Sequence, residues 1–140
     1  MSQEQSESSA PLDLQALCDE SPYLGALGVR ITRSAEGVVL QTSLSSGCAV
    51  DGKREVAHGG VVASLVDTAA TFALIARTNH DWVTVDLRVD YLRPTPLGEV
   101  TVQGEVIHAG KSLGRSRAEL RDRAGRACAV AVGTFAPARR

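Results

Sequence analysis

One stretch constrains this chain more than any other. From Gly59 to Ala76 it runs apolar, interrupted only by Ser64, Asp67, Thr68 and Thr71. It is rich in Ala, Leu and Val and has no proline, which predicts a helix over Gly59–Arg77. A helix apolar nearly all round must be enclosed by protein. Its length approaches that of a membrane span, but Asp67 in its middle and the strand-like segments around it point to a buried core helix. After Asp81 the period changes to two. Val83, Val85, Leu87, Val89 and Tyr91 alternate with Thr84, Asp86, Arg88 and Asp90, the spacing of a half-buried strand.

The rest of the chain fits around that helix. Residues 1–11 read as a disordered tail, followed by a short helix over Leu12–Cys18 that Ser21-Pro22 closes. Strands are predicted over Leu27–Arg33 and Val38–Leu44, joined as a hairpin across Ser34-Ala35-Glu36. Further strands follow over Glu99–His108, Arg115–Asp122 and Arg126–Phe135, with turns at Arg93–Gly98, Gly110–Gly114 and Ala124-Gly125. The small residues Ala127, Ala129, Ala131 and Gly133 of the last strand predict a close approach of the helix there. Tight turns between the late strands imply an antiparallel sheet with one helix packed on it, an α+β fold. Residues 1–20 are expected to be a flexible tail and short helix, and residues 21–140 a single domain.

Composition excludes several function classes. Fifteen Lys plus Arg against sixteen Asp plus Glu give a formal charge of −1, and aromatics are only 4%. Neither a nucleic-acid groove nor a membrane surface is expected from such a balance. Three cysteines in no CxxC pair, after a polar, acidic start, predict free thiols in the cytoplasm. Charge is nonetheless uneven. Lys111, Arg115, Arg117, Arg121, Arg123, Arg126, Arg139 and Arg140 face only Glu119 and Asp122 within residues 111–140. That cluster suits either a phosphate-bearing small molecule or a solvated strand face.

Several motifs fail on inspection. Gly104 to Ser112 has five residues where a phosphate loop needs four, and a strand follows it. No GxSxG surrounds Ser64, and His58, His80 and His108 offer no metal-ligand spacing, so no metal is expected. What remains is the start of the apolar helix, Val56-Ala57-His58-Gly59-Gly60, with Asp67 beyond it. Two glycines at a helix start leave backbone N–H groups unshielded, able to polarise a carbonyl or only to allow a tight turn. Asp67 is costly to bury unless it is paired or functional. It either bonds a neighbouring strand or Thr68, or it serves chemistry with Thr71 one turn on. Gly59 and Asp67 are separated by about 12 Å of helix at about 1.5 Å per residue. They cannot meet one carbonyl from the same chain, so a site using both requires two copies with antiparallel helices.

His58-Gly59-Gly60, the spacing to Asp67, and Tyr91-Leu92-Arg93-Pro94 together resemble the hotdog-fold acyl-CoA thioesterases. The branch is that of the PaaI-like and 4-hydroxybenzoyl-CoA thioesterases, and the likeness covers roughly residues 22–136. The resemblance implies an antiparallel sheet wrapped around one long helix, in a homodimer or homotetramer whose active sites lie between subunits. It implies that the Gly59 N–H binds the thioester oxygen and that Asp67 of the partner subunit acts as nucleophile or general base. Thr71 matches an assisting threonine, and His58 would orient the loop or contact substrate. Gly60 and Thr68 would line the substrate, and Arg93, Lys111 and Ser112 would meet the coenzyme A phosphates. Coenzyme A is then part of the substrate, and no separate cofactor is implied.

There is one departure. Where the family often has Asn or Gln, six residues before the histidine, this chain has Gly52. Two other readings follow the same fold: a non-catalytic acyl-CoA-binding module, favoured by Gly52, and a hydratase or dehydratase, disfavoured by the lack of a histidine beside Asp67. Phe72, Trp82, Tyr91 and Tyr23 are the few side chains that could line an acyl pocket. Aryl, arylacetyl and short- or medium-chain acyl groups are all compatible with them.

Overall fold

The computed structural model describes residues 10–138. In chain order the elements are α1 (Leu14–Asp19), α2 (Pro22–Ala26), β1 (Arg30–Ser34), β2 (Gly37–Leu44), a single 3-10 turn (Ser46–Cys48), α3 (Gly59–Thr78), β3 (Trp82–Tyr91), β4 (Gly98–Ala109), β5 (Gly114–Asp122) and β6 (Ala127–Pro137). The strands form one antiparallel sheet in the order β1-β2-β4-β5-β6-β3. The sheet wraps α3, which is the hotdog arrangement. On α3, Val62, Leu65, Val66, Ala69, Ala70, Phe72, Ala73, Leu74 and Ile75 are buried. They meet Val38, Leu40, Val100, Val102, Leu120, Ala131 and Phe135 from the inner face of the sheet. By length and composition alone α3 could cross a bilayer; here its apolar face is the core.

The closest approach of helix and sheet is on β4, not on the small-residue strand β6. A Cβ on Gly104 would lie 2.2 Å from the carbonyl oxygen of Ala69. Ala129, Ala131 and Gly133 of β6 are buried as expected, but the space over Gly133 is filled by the Phe135 ring.

The N-terminal region differs from the sequence expectation. α1 starts at Leu14, capped by the Asp13 carboxylate, which accepts from Ala16 N–H at 3.0 Å. Pro22 opens a second helix instead of ending the first. Ser21 caps it, and proline at the first helical position gives up only an N–H that would be unpaired anyway. Residues 10–12 are tethered, not free. Asn79, the left-handed cap of α3 (φ 61°), accepts from Leu12 N–H at 2.7 Å and donates to the Ala10 carbonyl. The Arg33 guanidinium bridges the Ala76 and Leu12 carbonyls, a cation at the negative end of the helix dipole. Residues 1–9 of the expected tail lie outside the described residues.

The two edges of the sheet are treated differently. Along β1, the Gln15 amide accepts from Ile31 N–H and donates to the Val29 carbonyl. Along β3, no strand or side-chain amide of this kind covers the outer edge among the described residues, and Val83 and Val85 are 51% and 60% exposed.

Candidate active site

The site begins with how the chain enters α3. The His58 N–H donates to the Cys48 carbonyl at 2.8 Å, and the His58 carbonyl accepts from Val61 and Val62. Its ring caps the helix: Nδ1 accepts from Gly60 N–H at 2.8 Å, so the proton of the neutral ring lies on Nε2. His58 therefore orients the helix start, and the Gly60 N–H is engaged by its ring. The Gly59 N–H is different. It has no acceptor among the described residues.

The Tyr91-Leu92-Arg93-Pro94 segment folds against this same start. Tyr91 OH donates to the Gly59 carbonyl at 2.7 Å. Ala57 N–H donates to the Thr95 carbonyl, and Leu97 N–H to that of Glu55. A Cβ on Gly59 would find the Tyr91 ring no closer than 3.5 Å, an ordinary contact, so nothing in the protomer demands glycine there. At Gly60 a Cβ would press within 3.1 Å of the His58 ring.

Asp67 is half-buried, two turns along α3. Its Oδ1 accepts from Thr84 Oγ1 on β3 at 2.7 Å, while Oδ2 has no hydrogen bond among the described residues. The Thr71 hydroxyl does not reach this carboxylate. It donates to the backbone carbonyl of Asp67 at 2.8 Å, as Thr68 does to that of Ser64 at 2.7 Å. Both hydroxyls back-bond within their own helix, a common fate of mid-helix threonines. Thr84 is the residue that the sequence reading missed, and the reason is a bulge. Thr84 pairs with Phe135 and Asp86 with Thr134, leaving Val85 unmatched. Thr84 is thereby turned to the helix side while Asp86 faces outward, which simple alternation would not allow.

Tyr23 of α2 reaches α3 at Ser64. Its OH lies 2.8 Å from Ser64 Oγ, whose own proton goes to the Gly60 carbonyl, so Tyr23 is the donor. Of the four aromatic candidates for an acyl pocket, Phe72 and Trp82 are core, whereas Tyr23 and Tyr91 are each 53% exposed. Trp82 is held by Thr78 Oγ1 at 2.8 Å and stacks on His80.

The proposed phosphate contacts are not together in one protomer. Arg93 is exposed at the helix start, its N–H on the Cys128 carbonyl. Lys111 and Ser112 form the exposed β4–β5 turn, next to Gly114, which packs under Trp82 and Leu74 at the far end of α3. Gly52 lies in an exposed loop that Asp51 ties down by accepting from Lys53 and Arg54 N–H. These bonds and the Arg54 guanidinium hold the Asp51 carboxyl below its usual range. The three cysteines are free, and burial pushes the Cys18 thiol up to about 11. Among the described residues, no group of His, Cys, Asp and Glu could hold a metal ion.

A sequence profile of the thioesterase superfamily matches residues 55–129, which includes the capped helix start, Asp67, Thr84 and Tyr91. The chain belongs to the thioesterase superfamily. Two relatives from Saccharolobus solfataricus are 32% and 37% identical over 81 residues, 57% of this chain in each case; the match spans only 58% and 54% of their lengths. A medium/long-chain acyl-CoA thioesterase of Salmonella typhimurium, YigI, is 29% identical over 131 residues, covering 81% of this chain and 84% of that protein. Among solved structures, the Escherichia coli PaaI protein of the phenylacetic acid degradation operon superposes with a TM-score of 0.79 at 26% identity, covering 89% of this chain and 90% of that one. A thioesterase-superfamily protein from Shewanella oneidensis gives 0.76 at 28% identity, covering 89% and 95%.

Proposed function

We propose that this thioesterase-superfamily protein hydrolyses acyl-CoA thioesters to a free acid and coenzyme A, as a homodimer with two active sites shared between subunits. The observation that carries this reading is the Gly59 amide. Among the described residues it is the one donor of the helix start left without an acceptor, at a glycine position where the protomer itself has room for a side chain. A thioester carbonyl bound there would receive a hydrogen bond that strengthens as charge develops on its oxygen. Asp67 is too far along the same helix to reach that carbonyl. Pairing of two β3 edges about a two-fold axis supplies the missing carboxylate, because it sets two α3 helices antiparallel and brings Asp67 of the partner subunit to Gly59.

In that site Asp67 attacks the carbonyl carbon and the C–S bond breaks, releasing coenzyme A as its thiolate and leaving a mixed anhydride that water cleaves to the free acid; or Asp67 takes a proton from an attacking water, and the tetrahedral adduct expels the same thiolate. Thr84 orients it by donating to Oδ1, leaving Oδ2 for the chemistry. Arg93 at one helix start, with Lys111 and Ser112 at the far end of α3 in the partner subunit, would hold the coenzyme A phosphates in such a pair. Two dimers would form the homotetramer. The free thiols support a cytoplasmic location. Tyr23 and Tyr91 would flank the acyl group, whose class includes aryl, arylacetyl and aliphatic chains. The medium/long-chain name of the Salmonella relative places long chains within the range to test.

The test is thiol release from a panel of aromatic, short-, medium- and long-chain acyl-CoAs, with wild type beside Asp67→Asn. Wild-type turnover that drops by about 10²-fold or more in the variant is expected, the scale typical of losing an essential catalytic group. A folded, dimeric wild type with no turnover on any thioester would sink the enzyme assignment. Gly52, which offers no side chain where the family often has an amide, would then make a non-catalytic acyl-CoA-binding module the better reading.

A further inference from the structure

Gly59 and Gly60 form the most pliable dipeptide a chain can present, yet a carbonyl-polarising N–H is useful only if its direction is fixed before substrate arrives. The peptide that joins them is held at both ends by side chains. Its carbonyl oxygen accepts from Tyr91 OH at 2.7 Å, and its N–H donates to His58 Nδ1 at 2.8 Å. The next carbonyl, that of Gly60, accepts from Ser64 Oγ at 2.8 Å. The carbonyl preceding Gly59, that of His58, accepts from Val61 and Val62 N–H. Among the described residues, each hydrogen-bonding group of the two glycines is therefore engaged, apart from the Gly59 N–H. The Tyr91 ring also lies over Gly59, with OH, Cε1 and Cζ at 3.5–3.6 Å from where a Cβ would stand.

We propose that Tyr91 is a positioning residue for the Gly59 amide: its hydroxyl and the His58 ring clamp the Gly59–Gly60 peptide so that the Gly59 N–H keeps one direction. This rests on the reading of Gly59 as the donor to the thioester oxygen and deepens it. The clamp joins the two sequence motifs, His58-Gly59-Gly60 and Tyr91-Leu92-Arg93-Pro94, into one device. It also accounts for a tyrosine that is 53% exposed yet has its hydroxyl committed to a backbone carbonyl instead of water. The entropy of fixing two glycines is offset by bonds from neighbouring side chains, leaving no reorganisation for the moment of reaction.

The test is Tyr91→Phe, which keeps the ring over Gly59 and removes only the hydroxyl. Two readouts are taken: steady-state kinetics on the best thioester of the wild-type panel, and amide ¹⁵N order parameters at Gly59 and Gly60 in the ligand-free dimer. The expected result is a kcat lowered about tenfold, below the 10²–10³-fold typical of losing an oxyanion donor outright. KM should stay within about twofold and Tm within about 2 °C, while the order parameters at Gly59 and Gly60 fall and those of the rest of α3 do not. Unchanged order parameters would overturn the clamp. So would an unchanged kcat, or a parallel loss of kcat, KM and Tm, which marks a general packing role. If wild type turns over no thioester, the proposed activity fails while the order parameters still decide whether Tyr91 clamps the glycines.

Discussion

A single hydrogen bond 2.7 Å long, from Thr84 to Asp67, joins residues that the sequence separates by a helix end and a turn. It leaves one carboxylate oxygen directed and the other open. Thr84→Val keeps the shape and removes the donor. The expected outcome is a kcat about tenfold lower with Tm lowered by a few degrees at most, because one hydrogen bond to a carboxylate that is only half-buried is lost. Thiol-release kinetics beside a thermal melt checks both halves. Unlike Thr84, Thr71 was legible in the sequence as a neighbour of Asp67 on the helix face. Its hydroxyl is nonetheless engaged by the backbone, an outcome that spacing alone does not reveal. Asp67, Gly59 and His58 could be picked out because glycines and a carboxylate are out of place in an apolar helix. Thr84 could not, because threonine is ordinary in a strand.

At the scale of elements, the fold depends on how near α3 lies to the sheet. The limiting contact is Gly104 of β4 against the Ala69 backbone. A methyl group there meets backbone, not a flexible side-chain end, so the helix must shift to admit it. Gly104→Ala is expected to destabilise by about 1–3 kcal/mol, the usual scale of overpacking a dense core. Gly133→Ala meets the Phe135 ring instead, together with the Asp86 carbonyl at 3.1 Å. Denaturant midpoints of both variants measure the two contacts, and an unaffected Gly104→Ala midpoint would contradict the close approach. The sequence showed the helix and the small residues of β6, but not which strand the helix touches most closely. That choice depends on the strand order β2-β4-β5-β6, which puts β4 near the middle of the sheet. The second helix escaped for a different reason: Pro22 is compatible with a helix start as well as a helix end.

At the scale of the molecule, one sheet edge is covered and one is bare. Val85→Glu places a charge on the bare edge at a position 60% exposed in the protomer, where it costs the monomer little. Across a two-fold β3–β3 contact the charges would meet. The expected outcome is a shift from dimer to monomer by light scattering, with thioesterase activity lost although Gly59 and Asp67 are untouched. A dimeric, active variant would refute the shared site. Acid sensitivity is also a whole-molecule property. Arg126 N–H, the Arg126 guanidinium and Ala124 N–H hold the buried Asp122 carboxyl below its ordinary range. A carboxylate with a lowered folded value stabilises above its unfolded value of about 3.9, and that stability is lost as pH falls through the folded value. Asp122→Asn should therefore melt below wild type at pH 7, with the gap closing below about pH 4.

The sequence by itself determined that one enclosed helix would pack on an antiparallel sheet, because hydrophobic period and turn residues act locally. It also determined that Gly59 and Asp67 could not serve one carbonyl within one chain, since helical rise sets their separation. Only the tertiary structure decided what holds each of them. The partner of Asp67 follows from a bulge at Val85, the clamp on Gly59 from the fold of a distant tyrosine, and the covered edge from Gln15 of α1. These are contacts between residues far apart in the chain. Side-chain identity limits which bonds are possible, and packing of the whole sheet on its helix selects the ones that form.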